Sequence, residues 1–474
     1  MKLSVPTNWD INLVEELAKI PEVIDIYGKK PHDIVGGGRP HFFMQDVTDD
    51  QVADYVKLVH SKNMTFSYLL NAPCMNNMEY NPEYHKKILD CLQWISDIGV
   101  DGVTLTIPFL VQIVKEQFPK LKVRISVIAH VNSVNRAKFY EAMGADEINN
   151  DIMINRDFTT LEKMRNAVKC EIIPIVTDGC LYQCPFRYYH YNTVGHASQT
   201  YQQFDRNYID FCIVNCNLIK FSNPTELVKC RFIRPEDLTH YEAIGIDHFK
   251  LGGRIHPTPW ILRATNAYAN RKWDGNLLDI IEGISITNIE NENDPENEYW
   301  SRIHTEKEAD LYLDNTKLDG FIDFFKTQNC IAMCDECNYC ASWGEKAVSG
   351  NPEGIQKYID GFKEYNRQIV SSEIFGLKEP KVVEPPPEST GMEWNEETKQ
   401  IFEMMIGNTP AETRPMARIV ISSLSEKNAR MRGSDIVETP DMVSGFIEGC
   451  PPSSQADLKA ELKKYGLWDE PVEE

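Results

Sequence analysis

Between Asp178 and His196 the chain reads DGCLYQCPFRYYHYNTVGH, a stretch that sets Cys180 and Cys184 three residues apart and follows them with Arg187, His190 and His196. A second pair at the same spacing, Cys212 and Cys216, comes next. Two such pairs supply four thiolates, the ligand number of a [4Fe-4S] cluster, although the intervals differ from common ferredoxin spacings. A third group is denser still, with Cys330, Cys334, Cys337 and Cys340 arranged as C-x3-C-x2-C-x2-C. Packing does not call for cysteine at that density. The close spacing favours a compact iron–sulfur site over structural zinc, whose two halves usually stand about a dozen or more residues apart. The expected cofactor is one [4Fe-4S] cluster or two. In the second group Cys330 is the weakest ligand, so Cys334, Cys337 and Cys340 with an outside ligand is the alternative set.

Other chemistries are weighed on the same residues. A nucleophile pair of Cys184 with His190 would suit a peptidase or acyl transferase, but leaves the remaining clustered cysteines unexplained. The radical S-adenosylmethionine pattern CxxxCxxC is broken, since position 187 is arginine. Neither HExxH nor GxSxG occurs, so the usual metalloprotease and hydrolase layouts are missing. Cys74, Cys91, Cys170 and Cys230 stand alone and read as small buried apolar residues.

The elements that must position these groups follow from hydrophobic patterning. The run Glu171-Ile-Ile-Pro-Ile-Val-Thr177 suits a buried strand, which puts Cys180 and Cys184 in the loop beyond its C-terminal end, where sites in parallel sheets are built. Seven more short runs read as strands: 3–6, 23–27, 65–71, 102–107, 123–129, 146–150 and 248–251. Helical periodicity lies between several of them, as at Val52, Val56 and Val59, or at Ile88, Cys91, Leu92 and Ile95 with Gly99 as the stop. Eight alternating repeats predict an α/β fold, a (β/α)8 TIM-like barrel, over an open doubly wound sheet. Lys250, Arg254 and His256 follow the eighth strand and are expected to share one mouth with Arg187, His190 and His196. Such a patch suits an anionic substrate, with a histidine to move a proton.

The chain divides in sequence into a barrel (1–280), a Cys-rich extension (281–376), a Pro- and Glu-rich linker (377–393) and a small all-helical C-terminal domain (394–474). Gly36-Gly37-Gly38-Arg39 after the second strand reads either as a cradle for a phosphate or carboxylate or as a turn. In the tail, Ile401, Met404 and Met405, then Ala417, Val420, Ile421 and Leu424, fall at helical spacing, with Gly433 ending the second helix; these faces read as core.

A net charge of −22 on 474 residues argues against general affinity for nucleic acid or anionic membrane. The N-terminus MKLSVPTNWD lacks a signal-type apolar segment and no run of about 18 apolar residues occurs, which predicts a cytoplasmic protein without a membrane partner. Thirteen cysteines in a reducing compartment are expected as thiols or metal ligands. The partners expected are a small-molecule or RNA substrate and an electron-transfer or related-subunit protein. A non-catalytic electron carrier or scaffold docking through its tail is a further reading.

At GGGRPHF, NDIMINRDF (150–158), GCLYQCPFRYYHYNTVGHASQ, FIRPEDL (232–238) and the stretch 268–278, the chain resembles peptidase family U32, the collagenase-like group. That resemblance implies a barrel-like fold. It also implies members that carry an oxygen-sensitive [4Fe-4S] cluster and serve oxygen-independent hydroxylation of ubiquinone precursors or transfer RNA. The cluster thiols of those members fall at intervals different from the Cys-x3-Cys pairs here. Residues 393–447 resemble the C-terminal domain of the light-independent protochlorophyllide reductase B subunit, which also occurs fused to other iron–sulfur proteins. The reading is an iron–sulfur enzyme of an anaerobic pathway, an oxidoreductase or hydroxylase, with cysteine peptidase as the alternative.

Overall fold

Strand-forming runs and capped amphipathic helices alternate through the first two hundred residues, and the barrel follows from how they pair. The computed structural model describes residues 1–200, 211–283, 309–328, 330, 334, 336–375, 391–409, 414–450 and 455–468. The strands are β1 (Lys2–Pro6), β2 (Val23–Gly28), β3 (Thr65–Leu70), β4 (Gly102–Leu105), β5 (Lys122–Ile125), β6 (Glu147–Ile148), β7 (Glu171–Ile172) and β8 (His248–Lys250). All pair in parallel, in the order β7-β6-β5-β4-β3-β2-β1-β8. The two ends meet just past β7: Ile175 bridges Lys250, Val176 N–H donates to Lys250 O and Lys250 N–H donates to Pro174 O, both at 2.9 Å. The sheet is thereby a (β/α)8 barrel, as the alternation predicts.

The helices between strands are α1 (Ile11–Leu17), α2 (Asp49–Ser61), α3 (Pro82–Asp97), α4 (Pro108–Gln117), α5 (Val134–Ala142) and α6 (Phe158–Ala167). Their limits are local chemistry. Thr48 and Gln51 form a reciprocal capping box at the start of α2, whose Val52, Val56 and Val59 face the core. Asn81 caps α3, which buries Ile88, Leu92 and Ile95; beyond it Gly99 takes φ +84°, a left-handed turn that glycine adopts without a Cβ clash.

The N-terminal end of the barrel holds a buried charge network. Arg124 on β5 reaches Asp25 on β2 at 2.9 Å and Glu147 on β6 at 2.5 Å, and Asp25 also accepts from Ser4 and Ser67. At the rim Glu171 on β7 accepts from Lys2 on β1 and His248 on β8, both at 2.7 Å, which laces the closing seam.

Between β7 and β8 the chain departs from one crossover helix and instead places α7 (Arg187–His196), α8 (Phe211–Ser222), α9 (Pro224–Lys229) and α10 (Leu238–Glu242); α11 (Thr258–Ala269) follows β8. This excursion carries most of the site. The chain as a whole falls into two compact units, Met1–Val370 and Ser371–Glu474. The described part of 281–370 belongs to the first, so the expected extension ends at Val370: Phe321, Ile322 and Phe325 join the barrel core, and Tyr358 of the helix Pro352–Val370 packs its ring 4.0 Å from Phe221 of α8. The linker expected over 377–393 lies mostly outside the described residues. In the second unit the helices Glu396–Gly407, Arg414–Met431, Thr439–Gly449 and Gln455–Lys464 enclose Phe402, Met405, Ile406, Ile421, Met442, Phe446 and Leu462. Gly433, at φ +81°, follows the second of these helices and donates to Arg430 O.

Candidate active site

The stretch beyond β7 turns sharply at Asp178, whose Oδ1 accepts from Cys180 N–H at 2.9 Å, and Gly179 N–H donates to Glu282 O at 3.0 Å. This loop is therefore anchored to the last described segment of the barrel, and it aims Cys180 and Cys184 into a cavity of about 140 Å³ at the barrel mouth. On α7 the residues Arg187, His190, Tyr191 and Val194 stand at i, i+3, i+4 and i+7, one helical face, and all four line that cavity. On α8 the residues Cys212, Cys216 and Lys220 stand at i, i+4 and i+8 and line the same cavity. The two Cys-x3-Cys pairs thus meet in one place.

Of the six cationic and proton-handling residues expected there, three line the cavity: Arg187, His190 and His256. His196 lies nine positions beyond Arg187, half a turn round the helix, and its Nδ1 meets Gln199 Oε1 at 2.9 Å instead. Lys250 lies on β8 and points into the barrel, with Nζ 3.8 Å from the centre of the Tyr27 ring. Arg254 reaches back to Met44 and is not part of the cavity wall. The glycine run does not cradle an anion with its first donors: Gly36 N–H donates to Asp33 and Gly37 N–H to Ser198, and a Cβ on Gly36 would stand 2.7 Å from Gly195 O. The run lets the loop press against the end of α7, and it delivers Arg39 to the cavity, braced by Glu282 at 2.7 Å.

The wall is rich in buried positive charge. Lys220 is 1% exposed and donates to Gly283 O at 2.6 Å; burial lowers its affinity for a proton, but Cys216, Cys230 and Cys180 outweigh this and raise it. Arg187 Nη1 stands 2.6 Å from Asp151, while its Nε and Nη2 are buried without a hydrogen-bond partner. Burial pushes the Cys180 thiol far up and the Cys184 thiol up, with Cys216 adding to both. His256 stacks on Trp260 at 3.9 Å, and burial brings its ring down to about 4, so it is neutral near pH 7; its Nδ1 also lacks a partner. Cys230, buried as expected of an isolated cysteine, donates to Gly179 O at 3.1 Å directly behind the Cys180 loop.

The third cysteine group gathers elsewhere. Cys330, Cys334, Cys337 and Cys340 line a second, smaller cavity with Tyr182, Lys229 and Arg231. Tyr182 belongs to the loop whose Cys180, Leu181 and Cys184 face the first cavity, so one loop fronts both. Burial raises the Cys340 thiol, Arg156 and Arg231 pull it down, and Cys330 and Cys334 push it up. Among the described residues no three His, Cys, Asp or Glu side chains stand as ligands of a single ion. A four-iron cube takes each thiolate on a different iron.

Lys220, Asp151 and Glu282 were not singled out by the sequence reading. Lys220 carried a signal, the i+8 spacing from Cys212 on one helix; Asp151 and Glu282 had none, because each acts on a partner far along the chain. No helix among the described residues is long and apolar enough to cross a membrane.

The model of peptidase family U32 matches residues 39–173. An uncharacterized protease of Methanocaldococcus jannaschii is 33% identical over 344 residues, 71% of this chain and 94% of that one. The chain belongs to peptidase family U32. Among solved structures, this U32 protein is similar to the U32 peptidase Mk0906 at 20% identity and a TM-score of 0.40, over 53% of this chain and 93% of that one. An O-GlcNAc hydrolase of Thermobaculum terrenum gives 8% identity and a TM-score of 0.31, over 96% and 86%.

Proposed function

We propose that this U32 protein is a redox enzyme of an anaerobic pathway whose Cys180, Cys184, Cys212 and Cys216 hold a [4Fe-4S] cluster beside a cationic pocket for an anionic small molecule or RNA base. The observation that carries the reading is the meeting of two thiol pairs, from a loop and from α8, in one cavity with buried Lys220. The donor set fits the group: four soft thiolates, and buried cations to balance their charge. A bound cluster supplies one-electron redox change at the cavity wall. The chain's own residues do the rest. Arg187, fixed by Asp151, and Arg39, fixed by Glu282, offer guanidinium N–H groups to an anionic substrate. His256, neutral and buried, can accept a proton at Nδ1, and His190 faces the same space from α7. Protein purified without oxygen should be brown and contain acid-labile sulfide. Cys184→Ala and Cys216→Ala should each lower iron by about four per chain. Cys230→Ala is the control for the thiol behind the loop. Full iron in both variants, or colourless protein holding zinc alone, would sink the assignment.

A second reading, a cysteine peptidase, has the support of the family description and of the relative's name, and Cys184 and His190 do line one cavity. Against it, a Cys184–His190 pair leaves Cys180, Cys212 and Cys216 in the same cavity without a role. Peptide hydrolysis by iron-free protein, abolished by Cys184→Ala, would establish the peptidase and remove the redox reading.

A further inference from the structure

We infer that Cys330, Cys334, Cys337 and Cys340 hold a second [4Fe-4S] cluster, outside the barrel-mouth cavity, with Arg231 as its buried counter-charge. The inference does not depend on the barrel-mouth assignment. Its first ground is convergence: four cysteines, with no histidine among them, line one small cavity together with Arg231, Lys229 and Tyr182. Soft thiolate sets of this kind select iron–sulfur clusters, copper(I) or zinc, and their confinement between 330 and 340 favours the compact cluster.

The second ground is unbalanced charge. Arg231 is 4% exposed and its Nε and Nη1 are buried with no hydrogen-bond partner, although it lines the thiol cavity. Arg156, 3% exposed, sits beside it in an adjoining cavity that also includes Cys330. Arg156 donates to the Val228 and Phe232 carbonyls and lies among the rings of Phe232, Phe321 and Phe325. Among the described residues neither guanidinium has a carboxylate within ion-pair distance. Two adjacent buried cations with no described carboxylate in ion-pair contact are expensive even with Asp157 on the wall of the adjoining cavity, and removing N–H groups from water without a partner adds to the cost. Lys229 is answered by Glu226 at 2.8 Å, so the positive charge left over belongs to the arginines. A cluster on four thiolates is net negative and its sulfurs accept hydrogen bonds, which meets both deficits at once. Arg231 is held for this task by Tyr182, whose ring lies 3.6 Å beneath the guanidinium.

The test uses the full chain purified without oxygen, with iron, sulfide and zinc counted per chain and circular dichroism to show folding. Cys334→Ser/Cys337→Ser should lose about four irons while remaining folded. Unchanged iron in that folded variant, or zinc bound there in place of iron, overturns the inference. Should Cys184→Ala keep all its iron while the double variant loses its four, the barrel-mouth assignment fails and this one stands. Arg231→Met should retain iron but shift the midpoint potential of the affected EPR signal to a more negative value, since a reduced cluster carries one more negative charge; Arg231→Lys should largely restore it. An unmoved potential in Arg231→Met removes Arg231 from the role.

Discussion

Arg187 Nη1 lies 2.6 Å from Asp151 Oδ1, with both side chains buried, so a carboxylate just beyond β6 sets the direction of a guanidinium on the first turn of α7. Burial raises the Asp151 carboxyl, but His130 and Arg187 outweigh it and hold it below the usual range. Asp151→Asn should keep a neutral acceptor and the fold while releasing the orientation of Arg187. Iron content should stay intact and KM for an anionic substrate should rise by about tenfold or more, the scale of one charge-assisted hydrogen bond. Asp151→Ala should in addition lower stability by about 3 kcal/mol, because it leaves a buried cation unpaired.

The neutral state of His256 gives the protein a pH dependence whose sign is fixed. Burial puts its ring at about 4, against 6.5 for an ordinary histidine. Between these values the unfolded chain binds a proton that the folded chain does not, so this group's contribution is fully favourable above about pH 6.5 and is lost as pH falls toward 4. Denaturant titrations of wild type and His256→Asn should converge as pH falls through that window, by at most about 3 kcal/mol.

Arg124 at the other end of the barrel has no part in the cavity, yet its removal should be among the costliest changes. It faces Asp25 and Glu147 with 3% of its side chain exposed. Arg124→Ala should destabilise by about 3–5 kcal/mol by leaving buried carboxylates unanswered. Adding Asp25→Asn should recover part of that loss, a coupling that a double-mutant cycle of urea midpoints reads directly.

Gly252, just past β8, has no room for a methyl group: a Cβ there would stand 2.0 Å from Glu282 Oε2, and Glu282 is held by Arg39. Gly252→Ala should therefore cost about 1–3 kcal/mol and loosen Arg39 at the cavity. Thermal unfolding and substrate KM together check both effects.

Much of this architecture is legible in the residues because its signals are local. Short apolar, β-branched runs locate all eight strands, three-to-four-residue spacing marks the helices Asp49–Ser61 and Pro82–Asp97 between them, and the Cys-x3-Cys and C-x3-C-x2-C-x2-C spacings mark the sulfur chemistry. Helical phase, read more closely, also separates Arg187 and His190 from His196, and joins Lys220 to Cys212 and Cys216. What tertiary structure decided is which distant segments meet. That Cys180 and Cys184 share a cavity with α8, that Glu282 clamps Arg39 across 243 residues of chain, and that Lys250 turns into the barrel while His256 turns to the mouth depend on how the β7–β8 excursion folds back on the closed sheet. Hydrophobic period is a property of neighbouring residues, whereas these contacts come from the packing of the whole chain around one core, where no short window of sequence holds both partners.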